Sequence, residues 1–121
     1  PAAVRKFLAK RSPAYPMDEA RFRELVGRAY DRSFHPPGVA RQLHAINSSG
    51  NRTTRLRGVR LPALVIHGSD DPLIRPIGGR ETARAIPGAR LHLVEGMGHD
   101  LPPQLHADFA AEIDANARRA S

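Results

Sequence analysis

Apolar and polar positions change period part-way along the chain. Between Asp18 and Phe34, the apolar residues Phe22, Leu25, Val26, Ala29 and Tyr30 recur every three or four positions, with Arg21, Arg23, Glu24 and Arg28 mostly on the other side. That spacing predicts an amphipathic helix capped by the Asp18 side chain. Val39, Leu43 and Ile46 keep the same period after His35-Pro36-Pro37-Gly38. They predict a second helix, started by Pro37 or Gly38 and stopped at Asn47-Ser48-Ser49-Gly50-Asn51. A polar linker then reaches Arg60. Residues 1–16 read as loop, because Pro13 and Pro16 break any helix that Val4 to Lys10 begins.

Past the linker the period disappears. Leu64-Val65-Ile66 is a continuous β-branched-rich run, the pattern of a strand covered on both faces. Ile77 to Ile86 reads as a short helix ended by Pro87-Gly88, and Leu91, Leu93 and Val94 as a second strand. Pro102 and Pro103 introduce a last helix, whose Leu105, Phe109, Ile113 and Ala117 share a face expected to pack back on the sheet. Strand, helix, strand implies a right-handed crossover that brings both strand ends to one edge of a parallel sheet. The fold class expected is therefore α/β, with two parallel strands, a crossover helix and a final helix.

Composition narrows this only a little. A chain of 121 residues suits one modest domain or a piece of a larger one, and at 40% hydrophobic and 5% aromatic with no tryptophan its core must be Leu, Ile, Val and Ala. The absence of cysteine removes disulfides, thiolate nucleophiles and thiolate metal sites. No apolar run approaches the roughly 20 residues of a membrane-spanning helix. A start at Pro1 suggests that the chain is cut from something longer, so the compartment stays open.

Charge marks a division. Residues 1–60 hold 13 Lys or Arg against 4 Asp or Glu, and residues 61–121 hold 6 against 8. With the change of pattern, this places a boundary near residues 50–60. The arginines of the first part are scattered over several segments, without the clustering among aromatics that a nucleic-acid footprint needs, so nucleic acid is not expected as a partner.

The two strands each end in a chemically loaded turn. The first is His67-Gly68-Ser69-Asp70-Asp71-Pro72 and the second Glu95-Gly96-Met97-Gly98-His99-Asp100. A carboxylate on the Nδ1 of a histidine fixes its tautomer and prepares it as a general base. An acid of the first turn and His99 are too far apart in sequence for one helix but natural for adjacent strand ends. Gly68, Gly96 and Gly98 permit tight turns there, and open α/β sheets bind ligands outside the carboxyl ends of their strands. His67, closing a buried strand, reads as a packing residue. His35, His44, His92 and His106 show no metal-ligand spacing, and neither metal nor cofactor is expected. Glu95 and Asp100 flank the second turn and read as binding water or a helix end.

These two turns resemble the C-terminal end of the α/β-hydrolase family. The resemblance implies that Asp71, the third residue after the glycine closing the first strand, is the triad acid in preference to Asp70, and that His99 is the catalytic histidine. Gly98-His99-Asp100-Leu101-Pro102 is most similar to esterases of the aclacinomycin methylesterase type. The match covers residues 57–121, and the helices of residues 1–56 look like the end of an inserted cap domain, where Phe22, Leu25, Val26 and Tyr30 either line a substrate cleft or form ordinary core.

No Gly-x-Ser-x-Gly elbow occurs in the sequence. The resemblance therefore implies an incomplete fold: a C-terminal piece that supplies acid and histidine, is inactive alone, and takes its nucleophile and oxyanion hole from a missing N-terminal part. The activity expected of the whole is hydrolysis of a small-molecule carboxylic ester by a serine. The same fold with another nucleophile or reaction, as in dehalogenases, epoxide hydrolases or non-haem peroxidases, remains open, as does a non-catalytic basic module. Without its upstream neighbour the strand at Leu64 is expected to leave a sheet edge free for self-association.

Overall fold

The structure is a computed structural model and describes residues 9–120, so any helix begun at Val4 lies outside the described residues. The first helix, α1, spans Glu19–Arg32. Asp18 caps it as expected, its carboxylate accepting from the N–H groups of Ala20 (3.3 Å) and Arg21 (3.0 Å). The second, α2, spans Pro36–Ser48 and starts on Pro36, whose missing N–H costs nothing in the first turn. The linker is not wholly irregular. It holds one helical turn, α3 (Thr53–Leu56), entered through an Asn51 side chain that accepts from the Thr53 N–H. Four residues are too few to leave a periodic trace in sequence.

Strand β1 (Leu64–Gly68), helix α4 (Pro76–Ala85) and strand β2 (Arg90–Val94) follow. The strands pair in parallel, Leu64 opposite Arg90 and Gly68 opposite Val94, so they start and finish in step. A single 3₁₀ turn (Pro103–Leu105) leads into the last helix, α5 (His106–Arg118). The expected α/β unit is thus present.

The core lies between β2 and α5. Val94, Met97 and Phe109 are its buried members, with Tyr15, Ile66 and Leu105 packed around them. Helix α5 is tied down at its far end as well: Asn116 donates to the Pro62 carbonyl (3.2 Å), Arg119 to the Gly88 carbonyl (3.1 Å), and Arg90 pairs with Glu112.

Two expectations about cover do not hold. Four of the five residues of β1 are only half-buried, so the strand is not enclosed on both faces. Ile113, placed by its spacing with Phe109, is 58% exposed and faces an open groove of about 450 Å³ beside Leu64 and Ile66. Among the described residues the outer edge of β1 has no partner strand. The accessible surface is 8893 Å², whereas a compact monomer of 13.2 kDa exposes about 6,400 Å². Helices α1 and α2 account for part of the excess, since neither packs substantially on another element, and Tyr30, Phe34, Val39, Leu43 and Ile46 are all exposed.

Candidate functional site

Both turns emerge at the same height because the strands end in step, and they are laced together. The Ser69 N–H donates to the Val94 carbonyl (2.9 Å), and the Asp70 N–H to that of Met97 (3.0 Å). Gly68 has to be glycine, since a Cβ there would overlap the Met97 carbonyl and lie 2.6 Å from that of Gly98. Gly96 has φ +68°, a conformation that glycine adopts without strain.

At this edge the side chains of Asp71 and His99 meet. His99 Nδ1 lies 2.7 Å from Asp71 Oδ2, a contact in which Nδ1–H donates to the carboxylate, and in the neutral ring this tautomer leaves the lone pair on Nε2. The other oxygen, Oδ1, accepts from the N–H groups of Leu73 (2.8 Å) and Ile74 (2.9 Å). The Asp71 side chain is 5% exposed and that of His99 42%, so a buried acid holds a histidine open to the cleft. Burial pushes the Asp71 carboxyl upward, but the Ile74, His99 and Leu73 hydrogen bonds and the attraction of His99 together outweigh it, and the net shift is downward. A concave space of about 440 Å³ lies over the pair, walled by Ile66, Ile74, Met97 and Leu101 among others.

Asp70 is engaged elsewhere. The Ser69 hydroxyl donates to Asp70 Oδ1 (2.9 Å) and accepts from the Gly96 N–H (2.8 Å), bridging the two turns. His67 donates from Nε2 to the Ile74 carbonyl (2.8 Å), stands 3.9 Å from Asp71 Oδ2, and packs its ring on Gly79. It buttresses the acid's loop. Among the described residues no group of three or more His, Asp or Glu could hold a metal ion.

A feature invisible in the sequence closes the site from behind. Residues 10–14 cross beneath the second turn: the Lys10 carbonyl accepts from the His99 N–H (2.8 Å), Ser12 Oγ accepts from the Gly98 N–H (2.9 Å), and Ser12 donates twice to Asp100 Oδ1. Asp100, read from sequence as binding water or a helix end, binds this serine. No local pattern signals a contact across 88 residues.

No family model matches the chain. Rhodomycin D methylesterase DnrP of Streptomyces peucetius is 38% identical over 104 residues, which are 86% of this chain and 34% of that protein. Rhodomycin D methylesterase DauP of Streptomyces sp. (strain C5) is 36% identical over the same shares. The chain is thus similar in sequence to these two methylesterases. It spans about a third of the length of these relatives. An esterase from Rhodococcus sp. ECU1013, RhEst1, superposes with a TM-score of 0.50 at 24% identity, over 57% of this chain and 25% of that one, which bears on the fold alone. The sequence similarity and the esterase fold agree in making the chain a partial counterpart of such esterases.

Proposed function

We propose that this chain supplies the acid and the histidine of a serine-type carboxylic ester hydrolase, Asp71 orienting His99, with the nucleophile contributed by sequence outside these residues. The observation that carries the reading is the 2.7 Å contact between His99 Nδ1 and the buried Asp71 carboxylate at the shared end of both strands. With Nδ1–H committed to Asp71, His99 Nε2 is the base that takes the proton of a serine hydroxyl as its oxygen attacks the ester carbonyl. The same proton then goes to the departing alcohol, leaving an acyl-enzyme. Water enters, gives its proton to Nε2, and releases the acid as the serine recovers its hydrogen.

The substrate class is a small-molecule carboxylic ester, and a methyl ester agrees with what the relatives are named for. Residues 1–56 are assigned to a cap-like segment, since α1 and α2 stand clear of the sheet, and residues 57–121 to the hydrolase core. The apolar concavity of about 450 Å³ on α1, lined by Phe22, Leu25, Val26 and Tyr30 among others, suits the ring or chain carried by such an ester. The test is His99→Ala in the complete protein encoded by the gene. Methyl-ester hydrolysis should fall by about a thousandfold or more, with the unfolding midpoint kept. Undiminished turnover overturns the assignment.

A further inference from the structure

A histidine side chain that is 42% exposed keeps a fixed direction only if the backbone beneath it is held. Its own bond to Asp71 fixes one end of the ring. What holds the backbone beneath it is the strap formed by residues 10–14. The Lys10 carbonyl takes the His99 N–H (2.8 Å), the Ser12 hydroxyl takes the Gly98 N–H (2.9 Å), and the Ala14 N–H donates to the Gly96 carbonyl (3.2 Å). Ser12 also donates its N–H (2.7 Å) and O–H (2.6 Å) to Asp100 Oδ1. The fit is close enough that a Cβ on Gly98 would lie 2.6 Å from the carbonyls of Lys10 and Arg11.

The chemistry of this knot is unusual for a purely stabilising contact. Ser12 is 4% exposed and uses both its N–H and its hydroxyl. Ser12 thus spends both its backbone and its side-chain donor on the one carboxylate oxygen of Asp100. What the carboxylate does accomplish is to lock Ser12 against residues on both sides of His99. Hydrogen bonds thus hold the turn at three successive residues, Gly98, His99 and Asp100.

We infer that Ser12 and Asp100 are positioning residues for His99, acting through the turn backbone to keep its ring aligned between Asp71 and the nucleophile. The inference rests on the reading of Asp71 and His99 given above. It also gives the helical segment a connection to the site. The same strap also contacts α1 and the residues before it: its Arg11 guanidinium lies 5.1 Å over the Phe22 ring and donates to the Met17 carbonyl (2.8 Å). Helix α1 and the His99 turn are therefore both attached to one short segment.

The experiment uses the complete protein encoded by the gene, with Asp100→Asn, Ser12→Ala and the hydroxyl-keeping Ser12→Thr, assayed on p-nitrophenyl acetate. Misalignment of the base should lower kcat by about 10- to 100-fold in Asp100→Asn and Ser12→Ala while KM stays within about twofold, and Ser12→Thr should recover most of the loss. Proton NMR supplies the second readout. The Nδ1–H that His99 donates to Asp71 should broaden or vanish in the two damaging variants, while the Nε2–H that His67 donates to Ile74 persists in all three. An unchanged kcat and an unchanged His99 resonance overturn the inference. So does loss of both histidine resonances together with a collapse of the melting transition, which marks a structural role. Should His99→Ala retain hydrolysis, the functional reading falls by itself, and the His99 resonance still decides whether the strap positions the ring.

Discussion

The two ends of this molecule are built from similar amounts of apolar residue and hold them very differently. In the strand-helix-strand part, Val94, Met97 and Phe109 are buried against one another, and the two turns are bonded to each other through Ser69, Asp70 and Gly96. In α1 and α2, only Phe22 is buried, while Val39, Leu43 and Ile46 are each 58% exposed or more. The helices are well formed all the same. Asp18 caps α1, and Arg23 with Glu19 and Arg28 with Glu24 make pairs along its surface, contacts that hold a helix together without saying where it sits. Local rules make the elements in both regions; tertiary burial fixes position in only one. A site that depends on a 2.7 Å contact belongs in the part where position is fixed.

That contrast is open to direct attack. The largest effect is expected from Phe109→Ala, which empties the centre of the cluster and should cost about 3–5 kcal/mol in urea denaturation, a large share of the stability of a small domain. A cost below about 1 kcal/mol would mean that the core lies elsewhere. Acid comes next. Because the Asp71 pKa is lowered in the folded chain, the stabilisation from its ionised form is complete above the ordinary carboxylate value of about 3.9 and is lost as pH falls through the lower native value. Asp71→Asn should therefore give a flatter melting-temperature profile than the parent below about pH 4, and parallel profiles would show that the carboxylate is not held as described. The smallest effect belongs to Ile46→Ala, which should stay within about 0.5 kcal/mol. A loss above about 2 kcal/mol would show that α2 buries this face against something.

Much of this arrangement is legible from residues. The apolar run at Leu64, the glycines after each strand and the prolines before α4 and α5 specify a strand-helix-strand unit by local chemistry, and the pairing of an acid turn with a histidine turn follows from that topology. Asp71 was separable from Asp70 only through the α/β-hydrolase resemblance. The physical reason for the difference, Ser69 occupying Asp70 while backbone N–H groups gather on Asp71, needs three dimensions. The strap is of the same kind, since Ser12 and Asp100 share no pattern. The exposure of Ile113 was unreadable for another reason: helical spacing says which residues share a face, but not whether a surface is there to meet it.

The in-step ending of β1 and β2 makes the contact between Asp71 and His99 a gauge of the sheet itself. One residue of slip between parallel strands displaces the partner by about 3.3 Å, more than the length of the hydrogen bond being made. It would also turn the alternate side chains to the opposite face. The bond therefore tolerates no error in alignment, and insertions or deletions between residues 68 and 90 must be absorbed in the loops around α4, where they leave the strands in step. Seen this way, the shared proton of His99 reports on assembly as much as on chemistry: its appearance during refolding would time the moment at which the two strands find their partners.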